Sequence, residues 1–165
     1  MQQALKSLIS SHNKIEIVNL FGYTTKGLPG LEIIGLPKNG RMLKEKLIYL
    51  IRKEQLVIPQ RRYVLCLERC QDFHREDDLR WLEMPFMVLY LTLSGILPLQ
   101  QLENCFSAGL LSLEGKCVDY PYSNNFFLEN PGLQRKCFLT AEKRNPEEEF
   151  MSLNLRELLQ GKIIK

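Results

Sequence analysis

The sequence lacks a long apolar run. The apolar stretch 84–93 spans ten residues, about half of the roughly 20 that a membrane-crossing helix takes. It reads as a buried helix instead. Residues 1–10 contain no continuous apolar stretch, so no secretory signal peptide is expected. An excess of one charge is missing too. The 22 basic side chains stand against 19 acidic ones, and a net +3 is too weak by itself to argue for nucleic acid. The like-charged block Glu147-Glu148-Glu149 reads as an acidic helix end, not as a tail. A disulfide framework is absent as well. Cys66, Cys70, Cys105, Cys117 and Cys137 are odd in number and irregularly spaced. Cys66 and Cys70 have no close second pair to complete a four-ligand zinc site. The expectation is reduced, structural thiols in a cytoplasmic protein, with no membrane and no cofactor. Repeats, linkers and low-complexity segments are also missing.

What is present suits one domain: 165 residues, 45% of them hydrophobic, enough to bury a real core. The chain is organised around residues 27–37, an apolar strand 31–34 between two Gly-Leu-Pro corners. Glycine permits backbone angles that other residues avoid, and proline fixes one dihedral and removes a donor. The strand therefore has sharp ends, and the helix after it has a set start.

Taken in order, residues 1–9 read as an amphipathic helical turn or two, with Ala4, Leu5, Leu8 and Ile9 on one face. Residues 14–21 read as a strand, 22–26 as a polar loop, and strand 31–34 as its hairpin partner. Asn39 is the expected N-cap of a helix over 41–54, with Leu43, Leu47, Leu50 and Ile51 inside. Residues 62–68 form a strand whose apolar run suits burial on both faces. The polar stretch 69–80, with His74, Arg75, Glu76, Asp77 and Asp78, reads as a solvated loop. Pro85 falls in the first turn of a helix that Gly95 stops. A strand over 106–113, the turn Glu114-Gly115, a turn-rich segment 119–131, a strand over 136–140 and a final helix over 153–159 complete the chain. The fold class is α/β (α+β): a mixed sheet covered by helices.

The combination Gly27-Leu28-Pro29-Gly30, Ile34-Gly35-Leu36-Pro37, basic helix, then Pro59-Gln60-Arg61-Arg62 resembles the N-terminal domain of the magnesium chelatase-like family, typified by the competence protein ComM. Pro85 matches that family's Asp-Leu-Pro helix start, and Ser94-Gly95 falls at that helix's end. The segment from Gly109 to Gly115 is similar to its Gly-Glu-Leu-Ser-Leu-Asp-Gly, and Asn145, Glu147 and Glu148 are a fainter match to its late Asn-x-x-Glu. The likeness covers most of 15–115. It implies the fold shared with the proteolytic domain of Lon protease and a ribosomal-protein domain, and a link to DNA processing. The polar positions drift, however. Arg-Glu-Ser reads Arg41-Met42-Leu43, Asn-Leu-Ala-Pro reads Cys66-Leu67-Glu68-Arg69, Asp-Leu-Pro reads Glu83-Met84-Pro85, and the glutamate of Gly-Glu-Leu is Leu110. The pattern points to a fold kept and an ancestral site abandoned, in a stand-alone domain without the family's ATPase.

The chemistry is weighed on the same residues. Gly35-Leu36-Pro37-Lys38-Asn39-Gly40 lacks the Gly-Lys-Ser/Thr ending that a phosphate-binding loop needs. A Lon-like peptidase, the distant alternative, needs a serine nucleophile and a lysine near the second main helix, and residues 80–91 hold neither. Enzymatic activity is therefore not expected. An accessory or protein-interaction role fits best, with an ATPase or DNA-processing protein as the partner class. Phe126-Phe127-Leu128 and Tyr120-Pro121-Tyr122 are read as covering a sheet edge in preference to forming a binding patch. The alternative is direct nucleic-acid binding through Lys38, Arg41, Lys44, Arg52, Arg61 and Arg62, which cluster along the basic helix and its flanks. Glu45 and Glu54 interleave with them, which a solvated face with ion pairs would also explain.

Overall fold

A computed structural model describes residues 1–12, 14–69, 72–75 and 77–141, and the backbone of 152–154. The class is α+β. A seven-stranded mixed sheet has the order β3-β4-β2-β1-β5-β8-β9, and β6 and β7 form a separate two-stranded ribbon. The strands are β1 (Gln2–Ser11), β2 (Lys14–Thr25), β3 (Gly30–Ile34), β4 (Arg62–Glu68), β5 (Cys105–Ser107), β6 (Gly109–Leu111), β7 (Cys117–Asp119), β8 (Cys137–Thr140) and β9 (Ser152–Asn154). The helices are α1 (Gly40–Lys53), α2 (Glu83–Leu93) and the single turn α3 (Phe126–Glu129). In the large sheet only β2 runs against its neighbours; β1 and β4 flank it antiparallel, and all other pairings are parallel.

The N-terminal residues are a strand, not the expected helix. β1 pairs with β2 along its whole length, from Gln2 opposite Tyr23 to Ser11 opposite Lys14. Leu5, Ser7 and Ile9 are buried on one face, and Leu8 on the other. This ladder takes the place of the expected hairpin between residues 14–21 and 31–34. β3 instead lies at the sheet edge, parallel to β4, joined to it by α1. The segment expected as a polar loop over 22–26 continues β2 as far as Thr25.

α1 forms much as its spacing predicts, burying Leu43, Leu47, Leu50 and Ile51. Asn39 occupies the N-cap, where its carbonyl accepts from the Leu43 N–H at 2.9 Å, while its side chain makes no capping bond. α2 is buried on nearly every side. Its Glu83 accepts from Lys46 Nζ of α1 at 2.8 Å and from the Leu111 N–H of β6 at 2.9 Å. One carboxylate thus ties both helices to the ribbon. The expected strand over 106–113 is cut at buried Ala108, so that β5 joins the large sheet and β6 leaves it. Of the expected final helix, Leu153 and Asn154 belong to β9, and the rest lies outside the described residues.

Two cores result. The main one lies between the helices and one sheet face: Leu5, Ile9, Val18, Leu20, Leu31, Leu65 and Leu67 meet Leu43, Leu47, Leu89 and Leu93. The second lies on the opposite face, over β5, β8 and the end of the β1-β2 ladder where Leu8 pairs with Ile17. Here Leu8, Phe106 and Phe138 are capped by Phe126 and Leu133, with Tyr120, Tyr122 and Phe127 around them. The rings pack in tilted and edge-on pairs, with Phe106–Phe138 and Tyr122–Phe126 centroids each 4.9 Å apart. The aromatic segment therefore covers a face of the sheet, where its sequence suggested cover for an edge.

The corner glycines differ in kind. Gly35 has φ +90°, and a Cβ there would stand 2.4 Å from the Leu67 carbonyl oxygen. Gly30 has nothing within 4 Å of such a Cβ. Gly35→Ala is expected to destabilise the fold by about 2–4 kcal/mol, from left-handed strain plus the clash. Gly30→Ala should change stability by no more than about 1 kcal/mol, in the stabilising direction. Urea unfolding of the two variants checks the contrast.

Candidate docking face

The alternation of β2 determines what its two faces present. Val18 and Leu20 enter the main core, and Asn19, Phe21, Tyr23 and Thr25 point the other way. Their register partners share that second face. Across β1 they are Lys6, Ala4 and Gln2; across β4 they are Glu68, Cys66, Val64 and Arg62; on β3, Ile34 and Glu32 follow. No described element covers this half of the sheet. Phe21 and Tyr23 are each 40% exposed, and Ile34 is 50% exposed. Val64 and Cys66 are buried between these larger neighbours.

Polar groups border the patch at both ends. At one end Asn19 donates to Glu68 Oε2 at 3.0 Å and accepts from Lys6 Nζ at 3.2 Å. At the other, Arg62 grips Glu32 in a two-point pair, Nε–Oε1 3.0 Å and Nη2–Oε2 3.1 Å. Two recesses flank this end of β2. One, of about 430 Å³, is lined by Gln2, Gln3, Ala4, Phe21, Gly22, Tyr23 and Glu103. Its neighbour, of about 480 Å³, is lined by Thr24, Thr25, Lys26, Gly27, Gln60 and Arg61, and no carboxylate lines it.

The six candidate nucleic-acid contacts do not form one surface. Lys38, Arg41, Lys44 and Arg52 lie on α1 and its approach, on the helix-covered side of the sheet. Arg62 alternates with core residue Tyr63 and so presents its guanidinium on the open side, already paired with Glu32. Arg61 lines the recess at the end of β2. Two further cations of α1 are engaged: Lys46 with Glu83, and Lys53 Nζ with the Leu113 carbonyl at 2.8 Å. Lys38, Arg41 and Arg52 are exposed. Sequence reasoning missed Phe21 and Tyr23 as surface aromatics, although the alternation Asn19-Leu20-Phe21-Gly22-Tyr23 carries the signal.

The stretch after β4 is not the uniformly solvated loop expected. The Arg69 side chain is only 5% exposed and that of Asp77 2%. Arg69 binds Glu16 Oε2 and Asp77 Oδ2, each at 2.6 Å, and its guanidinium lies 5.0 Å from the Phe73 ring centroid. The Arg69 hydrogen bond, helped by the His74 N–H, holds the Asp77 carboxyl below its ordinary value against the opposing effect of burial. His74 and Arg75 are exposed, and Cys70, Gln71 and Glu76 lie outside the described residues. Among the described residues no three His, Cys, Asp or Glu side chains converge as a metal site would require. Burial pushes the Cys66 and Cys137 thiols up and Cys105 to about 12, which keeps them protonated and unreactive. No helix among the described residues is long and apolar enough to cross a membrane.

Removing Arg69 strands a buried carboxylate. Arg69→Ala is expected to cost about 3–5 kcal/mol. Because the folded Asp77 value lies below its unfolded value near 3.8, its contribution is complete above that pH. It is lost as pH falls through the folded value. Acid should therefore destabilise the wild type more than Asp77→Asn, as urea unfolding at pH 7 and pH 3 would report.

No protein-family model matches the chain, and no curated protein matches it.

Proposed function

We propose that this chain is a non-catalytic binding module of the cytoplasm, serving an accessory or protein-interaction role, with the uncovered half of its sheet as the working surface. One observation carries the reading: Phe21, Tyr23 and Ile34 stand exposed around Val64 and Cys66 on a sheet whose other face and other half are covered. Large apolar side chains grouped on one open face favour a docking role over solvation. The likeness to the magnesium chelatase-like N-terminal domain supports a Lon-like fold and a partner engaged in DNA processing. The loss of that family's polar positions supports binding without catalysis.

A second reading, nucleic-acid contact through α1, draws support from the exposed Lys38, Arg41 and Arg52. Arg41 and Arg52 lie eleven residues apart, three helical turns along one stripe. A photo-crosslinking amino acid separates the two. Placed at Phe21 or Tyr23 in cells, it is expected to give discrete adducts, and at Arg52 none. Adducts from Arg52 alone would replace the first reading with the second.

A further inference from the structure

We propose that Cys105 and Cys137 form an oxidation site, a dithiol that closes to a disulfide between β5 and β8 and encloses the aromatic cover covalently. The site lies in the covered half of the sheet and is independent of the docking face.

Three observations converge. First, the two residues are direct partners in the parallel β5-β8 ladder. Direct partners share a face of the sheet, and neighbouring strands lie about 4.8 Å apart. That spacing falls within the roughly 4.4–6.8 Å between Cα atoms that a disulfide spans. Among the described cysteines no other two are ladder partners: Cys66 stands between Phe21 and Ile34, and Cys117 faces Leu111. Second, the thiols already meet. The two side chains are hydrogen-bonded to each other, and Cys105 Sγ also donates to the Gln101 carbonyl at 3.7 Å. Third, the thiols are unequal. Cys105 is 6% exposed and belongs to the main core. Cys137 is half-buried, just after exposed Gln134 and Arg135. Burial raises both thiols; their hydrogen bond adds to that effect at Cys105 and opposes it at Cys137. Cys137 therefore loses its proton first, and it is the thiol that an outside oxidant meets. Protonation at rest keeps either thiol quiet toward a passing electrophile, but once Cys137 is oxidised its partner stands beside it.

The step balances with a small-molecule disulfide as oxidant. The Cys137 thiolate attacks one sulfur of the oxidant, breaking its S–S bond and releasing one thiolate. Cys105 then gives up its proton to solvent and attacks Cys137 Sγ of the mixed disulfide, expelling the second thiolate. The dithiol loses two electrons and two protons, and the oxidant takes up both as two thiols. The product closes a loop over residues 105–137, which carries β6, β7, α3 and the rings of Tyr120, Tyr122, Phe126 and Phe127. Such a cross-link restricts the unfolded chain, so the oxidised form holds its cover more firmly.

The test equilibrates the full chain with mixtures of reduced and oxidised glutathione at mildly alkaline pH, in buffer and in concentrated urea. Free thiols are then blocked with N-ethylmaleimide, and disulfides are mapped by mass spectrometry without reduction. In buffer the Cys105–Cys137 link is expected as the dominant product, with an equilibrium constant for closure about tenfold or more above that in urea. The oxidised chain should melt several degrees higher than the reduced one, and reductant should reverse the gain. Cys137→Ala should abolish that gain, whereas Cys70→Ser and Cys117→Ser should leave it intact. Mapping on the wild-type chain decides the matter even where a variant fails to fold. Three results would overturn the proposal: no Cys105–Cys137 link in the folded chain, preferential pairing of either residue with another cysteine, or closure no more favourable in buffer than in urea.

Discussion

The ladder between β1 and β2 is the constraint on which the other elements depend. It is the longest pairing in the sheet and joins strands adjacent in sequence, so it closes at little loop-entropy cost. Its two outer edges then receive the rest of the chain. β2 takes up β4, and with it the β3-α1-β4 unit; β1 takes up β5, and after it β8 and β9. Because β2 alone runs against its neighbours, its side chains interleave with both halves. Every later pairing inherits its register, including the one that puts Val64 opposite Tyr23 and Cys66 opposite Phe21.

That register explains how half a sheet face stays open without dissolving the fold. The small and medium side chains in the middle are shielded laterally by larger ones. Val64 sits between Tyr23 and Glu32, and Cys66 between Phe21 and Ile34. The exposure falls on Phe21, Tyr23 and Ile34, which each keep at least half of their surface buried. Fully burying such a side chain would contribute about 1.5–3 kcal/mol, so an uncovered face forgoes stability that the other half of the sheet gains from its aromatic cover.

Local pattern exposed the elements whose burial is one-sided or complete, and hid those whose burial changes along their length. α1 is legible because Leu43, Leu47, Leu50 and Ile51 face one core only. α2 and β4 are legible as apolar runs bounded by proline, glycine and charge. β1 was misread because it passes between two cores. Leu5 and Ile9 face the helices while Leu8 faces the aromatic cover, and the resulting spacing of 5, 8 and 9 imitates a helical period. β2 runs past the expected end at Phe21, through Gly22 and the rest of the segment expected as a polar loop, to Thr25. The glycine is there because a Cβ would stand 2.9 Å from both the Leu65 and Leu93 side chains. Close packing, not chain reversal, demands it, and the early stop left Tyr23, though not Phe21, outside the strand. The basic cluster is divided for a different reason. Neighbours in sequence, Arg62 and the α1 cations are separated by the sheet itself, a distinction that period 2 in a strand makes and composition cannot.

The open patch is also more than an unfinished core. Between it and the aromatic cover runs a polar row across three strands: Lys6 on β1, Asn19 on β2 and Glu68 on β4, joined by hydrogen bonds through the Asn19 amide. On one side of this row lie Ile17 and Leu8, packed under or against the cover; on the other lie Phe21 and Ala4. Extending the cover across it would take a charged amine and a carboxylate out of water, which costs several kcal/mol per ion unless new partners are supplied. The row therefore sets a limit on how far the chain's own aromatics can advance over the sheet. The surface beyond it has its own boundary at the Arg62–Glu32 pair and its own aromatic centre at Phe21 and Tyr23, so the open patch is bounded by polar groups at both ends and not by a mere lack of cover.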